Sequence, residues 1–398
     1  MTEKFTGSFT QQEPIPEAGI AAALEVMRSG RLHRYNTAEG EVAQAALLEE
    51  EFAEKVGAKY CLAVASGGYA MATALRAIGV KPGDKVLTNA FTLAPVPGAI
   101  AAVGAVPVFV GVTDTLVLDL DDLADKASQA DVLLLSHMRG HQCDMEALMR
   151  LCDGRGIRVI EDCAHTMGAA WKGKPSGRWG LAGCYSCQTY KHVNAGEGGL
   201  LVTDDADVAA RAIIMSGSYM LYERHRAAPP PEAFEKIRYE TPNISGRMDN
   251  LRAAILRPQL ADLETQCARW NDRYRTLEDG LRGCAGLSII ERPEEETIVG
   301  SSFQFLLKDW TTDAVSALVT RCETRGVELK WFGGAEPKGF TSRYDSWRYV
   351  DAPRMPAADR ILAGIVDLRV PLTFSIADCK LIARIIRQEA SRLYQAET

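Results

Sequence analysis

The strongest constraint on how this chain folds is an alternation between residues 60 and 215: short, nearly continuous apolar runs separated by amphipathic stretches of helical length. Strands are expected at 60–65, 85–88, 106–110, 132–136, 159–161, 183–187 and 199–202, and helices at 69–78, 93–103, 119–126, 144–153 and 205–215. A strand that is apolar throughout has to be covered on both faces, and a helical crossover joins parallel neighbours. The expected fold class is therefore α/β: a large domain with a mostly parallel central sheet flanked by helices.

The flanks read differently. Helices are expected at 17–29, stopped by Gly30, and at 41–56, stopped by Gly57, with a polar and aromatic loop at 31–40 between them. From Met248 to Arg282 the pattern is helical, with a kink expected at Pro258. Beyond it, strands at 287–290, 302–307 and 328–331 and helices at 312–325 and 376–394 make a smaller C-terminal α+β domain. The division expected is residues 1–255 for an N-terminal arm and the large domain, and 256–398 for the interdomain helix and the small one. The proline-rich stretch 227–231 reads as an exposed loop or flap.

Composition narrows the function. The net charge is −7 and no basic block is present, which argues against nucleic acid as a partner. The longest apolar stretch, 90–110, is broken by Pro95, Pro97, Gly98, Gly104 and Pro107, so no membrane span is expected. The polar start, Met1–Pro14, does not read as a secretory leader. Ten cysteines scattered through core-like segments point to reduced thiols and a cytoplasmic setting.

Against this background Lys191 stands out. It follows a strand and precedes His192-Val193-Asn194-Ala195-Gly196-Glu197-Gly198-Gly199, a glycine-rich turn that holds a lysine in place. Asp162 ends another strand, and Glu161 beside it is expected to face the other way. Ser66-Gly67-Gly68 joins a strand to a helix, where glycines and helix-start N–H groups suit a phosphate. An amine, an acid and a phosphate cradle in this order point to pyridoxal 5′-phosphate held as a Schiff base on Lys191, with Asp162 keeping the pyridine nitrogen protonated. Taken singly, each has a plainer reading as a strand-end cap or an ordinary turn. His165 would cover the cofactor ring or bond its phenolic oxygen, and Ser186 would add a hydroxyl to the phosphate; satisfied core residues are the alternatives. His137, His141, Cys143 and Asp144 raise a metal site, but Gly140 interrupts the helix their spacing would need, and no metal is expected. A place at the mouth of the site suits His137, Arg139 and His141 better, since they follow the carboxyl end of a strand.

Together these residues resemble the DegT/StrS sugar aminotransferase family of fold-type-I pyridoxal-phosphate enzymes, from about residue 15 to the C-terminus. The resemblance is carried by Ala65-Ser66-Gly67-Gly68, Gly104-Ala105-Val106-Pro107-Val108-Phe109, Glu161-Asp162-Cys163-Ala164-His165, Ser186 with Lys191, and Arg247-Met248-Asp249-Asn250-Leu251. It implies a homodimer with active sites at the interface, Lys191 as internal-aldimine lysine and proton shuttle, and Arg247 reaching the neighbouring subunit's phosphate region. Leu93 falls where the family often stacks an aromatic ring on the cofactor, Ser245 replaces an Asn, and Arg139 replaces an aromatic. Arg139, with His33 and Arg31 or Arg34 of the N-terminal loop, is a candidate receiver of a substrate carboxylate or phosphate.

The function implied is amino transfer from glutamate or glutamine to a keto-sugar, keto-cyclitol or related small carbonyl compound. The alternatives are another reaction on the same cofactor (β- or γ-substitution, elimination or carbon–carbon bond formation) and a non-enzymatic regulator.

Overall fold

The structure, a computed structural model, describes residues 3–339 and 341–397. Its centre is a seven-stranded sheet in the order Tyr60–Val64, Gly199–Thr203, Ala182–Ser186, Arg158–Asp162, Val132–Ser136, Lys85–Asn89, Val106–Val110. Only Gly199–Thr203 runs against its neighbours; every other adjacent pair is parallel. The mostly parallel sheet expected from the sequence is therefore present, with strand bounds shifted by a residue or so.

Period-two side-chain alternation divides the apolar runs between the two covering layers. Leu134, Ile160, Ala182 and Leu201 point toward Ala70, Ala74, Ile100 and Ile213 of the Gly67–Ala77, Pro95–Ala102 and Ala206–Gly217 helices. Their neighbours face the opposite layer. Leu133, Leu135 and Val159 pack on Leu123, Leu148 and Cys152, while Ala63, Leu200 and Val202 pack on Leu48, Phe52 and Leu256. Helix starts are set by acidic caps: the side chains of Asp119, Asp144, Asp205 and Asp249 each accept a first-turn N–H. Gly30, Gly57 and Gly156 end helices in the left-handed conformation.

The helical stretch after Met248 breaks at Asp262, between Asn250–Ala261 and Leu263–Leu281, and Pro258 lies inside the first of these helices. The second core surrounds a four-stranded antiparallel sheet ordered Ser288–Ile289, Ser302–Leu306, Ile365–Arg369, Lys330–Trp331. The Ile365–Arg369 strand, central here, had no counterpart in the expected pattern. Phe5 and Phe9 of the N-terminal arm pack in this second core, each ring 4.9 Å edge-on from Phe374. The arm, grouped with residues up to 255 on sequence, thus packs into this second core. The 227–231 stretch is not a free flap, because Ala227 O accepts the N–H of Cys61 on the edge strand and Ala227 is buried.

All ten cysteines are buried and unpaired. Among the described residues, no helix is long and apolar enough to cross a membrane.

Candidate active site

Parallel strands deliver their last residues to one edge of a sheet, where ligand sites form. Ser136, Asp162 and Ser186 are each the last residue of a strand, and Ser66 follows Tyr60–Val64 by two. All four line one cavity of about 440 Å³, together with Gly67, Gly68, Leu93, Arg139, His165 and Lys191.

Lys191 is the centre of its chemistry. Its Nζ lies 2.8 Å from Nε2 of His165. On the other side of that ring, Nδ1 accepts the backbone N–H of Arg139 at 3.3 Å. Burial, then the charge of Lys191, hold His165 well below its ordinary pKa, so the imidazole is neutral and has one N–H to give. With Nδ1 occupied as an acceptor, that proton belongs on Nε2, and Lys191 must receive it on a lone pair. Burial, followed by Arg139, outweighs the attraction of Asp162 and lowers the Lys191 pKa to about 7.

Asp162 accepts from Ser136 Oγ at 3.0 Å through Oδ2 and from Ala164 N at 3.1 Å through Oδ1. Burial pushes its pKa up despite these donors and Lys191, so a cationic partner in the cavity would offset the desolvation of its carboxylate. Glu161, the next residue back, does face the other way, and its job is structural. Its oxygens accept the N–H groups of Gly177, Trp179 and Gly180 at 2.7–2.9 Å and face His137 Nε2 at 2.9 Å.

The anion cradle sits at the start of the Gly67–Ala77 helix. Ser66 caps it by accepting from Tyr69 N, which leaves the earlier N–H groups unclaimed by the cap. A side chain at Gly67 would stand 3.0 Å from the Cβ of Ser186, so a larger residue would push the turn a few tenths of an ångström away from that strand. Gly68 lines the cavity, and an added carbon there would meet nothing closer than 3.9 Å. Buried amine, carboxylate, glycine cradle and serine hydroxyl are the donor set that pyridoxal phosphate requires, and they fit it.

Other expected site residues lie elsewhere. Arg34 is fully buried in a bidentate pair with Glu49, 2.7 and 2.8 Å, beside His225. It ties the N-terminal loop to the Gln44–Val56 helix and does not reach the cavity. His33 is exposed and accepts from Arg247 Nε at 3.0 Å. Arg247 also bonds Gly217 O and Ser245 Oγ, and it too does not line the cavity. His137 is buried behind the site on Glu161, and His141 bonds Gln304 at 2.8 Å. The four-residue metal reading is not assembled. Among the described residues only His137, Glu161 and Cys163 bring ligand atoms within 4.8 Å of one another, and Glu161 there is already held by backbone donors.

Sequence reasoning missed Ser136, Gln188, Tyr190, Ser301, Ser302 and Arg369, all lining the cavity. Ser136 was accessible in principle, as the strand-end register partner of Asp162. Arg369 had no local signal, because the small domain brings it in from 178 positions beyond Lys191.

The family model for DegT/DnrJ/EryC1/StrS aminotransferases matches residues 15–387. An L-glutamine:2-deoxy-scyllo-inosose aminotransferase of Streptomyces lividus is 34% identical over 275 residues, 67% of this chain and 63% of that protein. An L-glutamine:scyllo-inosose aminotransferase of Streptomyces griseus is 33% identical over 271 residues, with the same coverage. The chain thus spans 63% of the length of these two curated relatives. The crystal structure of a 3-amino-5-hydroxybenzoic acid synthase superposes with a TM-score of 0.82 at 26% identity, covering 98% of this chain and all of that one.

Proposed function

This chain belongs to the DegT/DnrJ/EryC1/StrS aminotransferase family, and on that premise we propose that it moves an amino group from L-glutamine or L-glutamate to a keto-cyclitol, keto-sugar or related small carbonyl compound. Its cofactor is pyridoxal phosphate. The observation that carries the reading is the Lys191 amine, its pKa lowered to about 7 by burial, held by His165 in one cavity with the Asp162 carboxylate and the Ser66–Gly68 cradle. The choice of donor is supported by the two glutamine-dependent relatives.

When bound, the cofactor supplies an electron sink for the pair left behind as a substrate carbon loses its proton. The residues of the chain do the rest. Lys191 Nζ would take that proton and return it elsewhere, as base and then acid. Asp162 would hold a protonated ring nitrogen, and Ser136 and Ala164 N keep its carboxylate aimed. Helix-start N–H groups and Ser186 would anchor the phosphate and leave the reacting end toward Lys191. His165 fixes where the amine points.

A homodimer accords with the exposed apolar side chains Ile20, Leu24 and Met27 of the Glu17–Ser29 helix and with exposed Tyr219, whose ring lies 5.0 Å from the Arg247 guanidinium. A reducing, cytoplasmic setting accords with the buried thiols.

The test is the absorbance of the cofactor-loaded protein before and after excess L-glutamine or L-glutamate, beside Lys191→Ala. Amino transfer predicts that a donor bleaches the visible band and that a keto acid restores it. A band that no amino acid discharges would move another reaction on the same cofactor ahead.

A further inference from the structure

Within the cavity, positive charge exceeds what the cofactor-anchoring residues use. Arg139 lines it with 9% of its surface exposed. Its Nη2 stands 3.1 Å from Asp367 Oδ2, but the two are not aligned as a hydrogen bond, and neither Nη2 nor Nε has a hydrogen-bond partner among the described residues. The Phe332 ring lies under the guanidinium at 5.8 Å. The backbone of Arg139 is left-handed, φ 55°, an unusual conformation for a side-chain-bearing residue and one often found at functional sites. A buried guanidinium with idle N–H groups is costly unless an acceptor arrives.

Arg369 lines the same cavity from the small domain. Its guanidinium lies on the Tyr190 ring, 3.6 Å from the centroid. Stacking occupies the flat face and Nη1 makes a long 3.5 Å contact to Phe9 O, so the rest of the in-plane N–H edge has the geometry that suits a planar anion. Asp367, two residues back, cannot neutralise the group alone. Its Oδ1 is engaged by Gln304 Nε2 at 2.6 Å, and it faces Arg139 while Lys330 also stands near. Burial and the charge of Arg139 both depress the Arg369 pKa, so the two guanidinium groups feel one another across the cavity. The phosphate cradle is built from other elements, the turn after Tyr60–Val64 and the end of Ala182–Ser186.

We propose that Arg139 and Arg369 form a carboxylate-binding subsite facing Lys191, and that a substrate of this enzyme is held there by its carboxylate group. This rests on the amino-transfer reading above. Two sources share the chemistry: the α-carboxylate of the amino-acid donor, and a carboxylate on the carbonyl acceptor.

The experiment uses cofactor-loaded full-length protein, in which the phosphate site is filled. Calorimetric binding of maleate, with maleic diamide as the uncharged control, is measured for wild type, Arg139→Gln, Arg369→Gln and the conservative Arg139→Lys. Maleate affinity should fall about tenfold or more in each glutamine variant and less in Arg139→Lys, while the diamide does not discriminate. Near-ultraviolet circular dichroism and cofactor absorbance identify any variant that has lost its fold, and Arg369→Gln keeps the test open if Arg139→Gln has. Equal maleate affinity across folded proteins, or no binding to wild type, overturns the subsite. Single-turnover discharge by L-glutamine then assigns the source. A matching rise in half-saturation in the variants assigns the donor carboxylate, and an unchanged one assigns the acceptor's. If arginine-dependent maleate binding is found but no amino acid discharges the wild type, amino transfer fails while the subsite stands.

Discussion

His165 Nε2 lies 2.8 Å from Lys191 Nζ, and because His165 Nδ1 already takes the Arg139 N–H, the histidine donates and the lysine accepts. A lysine that accepts a hydrogen bond is a neutral amine, which is the form able to attack a carbonyl or take a proton.

Attachment of the cofactor to the apo-protein should therefore speed up as pH rises through about 7, the Lys191 pKa. In His165→Ala the neutral amine loses its donor, its pKa rises, and attachment at pH 7 should slow by roughly tenfold. His165→Gln, which retains an N–H, should recover part of the rate. Stopped-flow absorbance across pH 6 to pH 9 measures all three.

Lys191 should also cost the cofactor-free protein stability at low pH. Its folded pKa of about 7 lies below the ordinary 10.5, so between those values the unfolded chain holds more protons. Stability from this group is present above 10.5 and is lost as pH falls through about 7. Lys191→Met removes the effect, so its advantage over wild type in urea melts should grow from pH 10 to pH 7 and level off below. A constant difference would contradict a depressed amine.

Asp162→Asn keeps the shape and removes the charge that faces the ring nitrogen. The cofactor should still attach to Lys191, while donor discharge falls by roughly a hundredfold or more, as when one preorganised electrostatic partner is removed. Single-turnover absorbance separates attachment from discharge.

Arg34→Ala should act on folding, not on substrate. Burial works to raise the Glu49 pKa, but Arg34 and His225 hold it down to about 2. Stability from this carboxylate is present above its ordinary 4.5 and is lost as pH falls through about 2. Without Arg34 a buried charge is left uncompensated, costing about 3–5 kcal/mol, and acid unfolding should begin at a higher pH. The half-saturation for L-glutamine, measured on the folded fraction, should stay at the wild-type value.

Much of the site was legible because it is written in local grammar. A strand end followed by Gly67-Gly68 and a helix, or Asp162 closing an apolar run, can be read without knowing the neighbours, since backbone geometry sets where such residues point. Glu161 was correctly turned away from Asp162 by the same alternation. Charge was not legible in this way. Arg34 and Arg139 look alike in the sequence, yet one is held by both its Nη groups on Glu49 while the other has neither Nη2 nor Nε hydrogen-bonded. The Ile365–Arg369 strand, five residues with Asp367 at its middle, gave no alternation strong enough to announce itself.

From its sequence alone this chain is determined to be a parallel α/β protein with an amine, an acid and a glycine turn at strand ends, because apolar periodicity and turn chemistry act over a few residues. Tertiary structure alone decided which cations share the cavity, that Phe5 and Phe9 belong to the second core, and that His165 donates to Lys191. Those outcomes depend on packing between segments more than a hundred positions apart, or on which of two ring nitrogens is already engaged, and no local pattern encodes either.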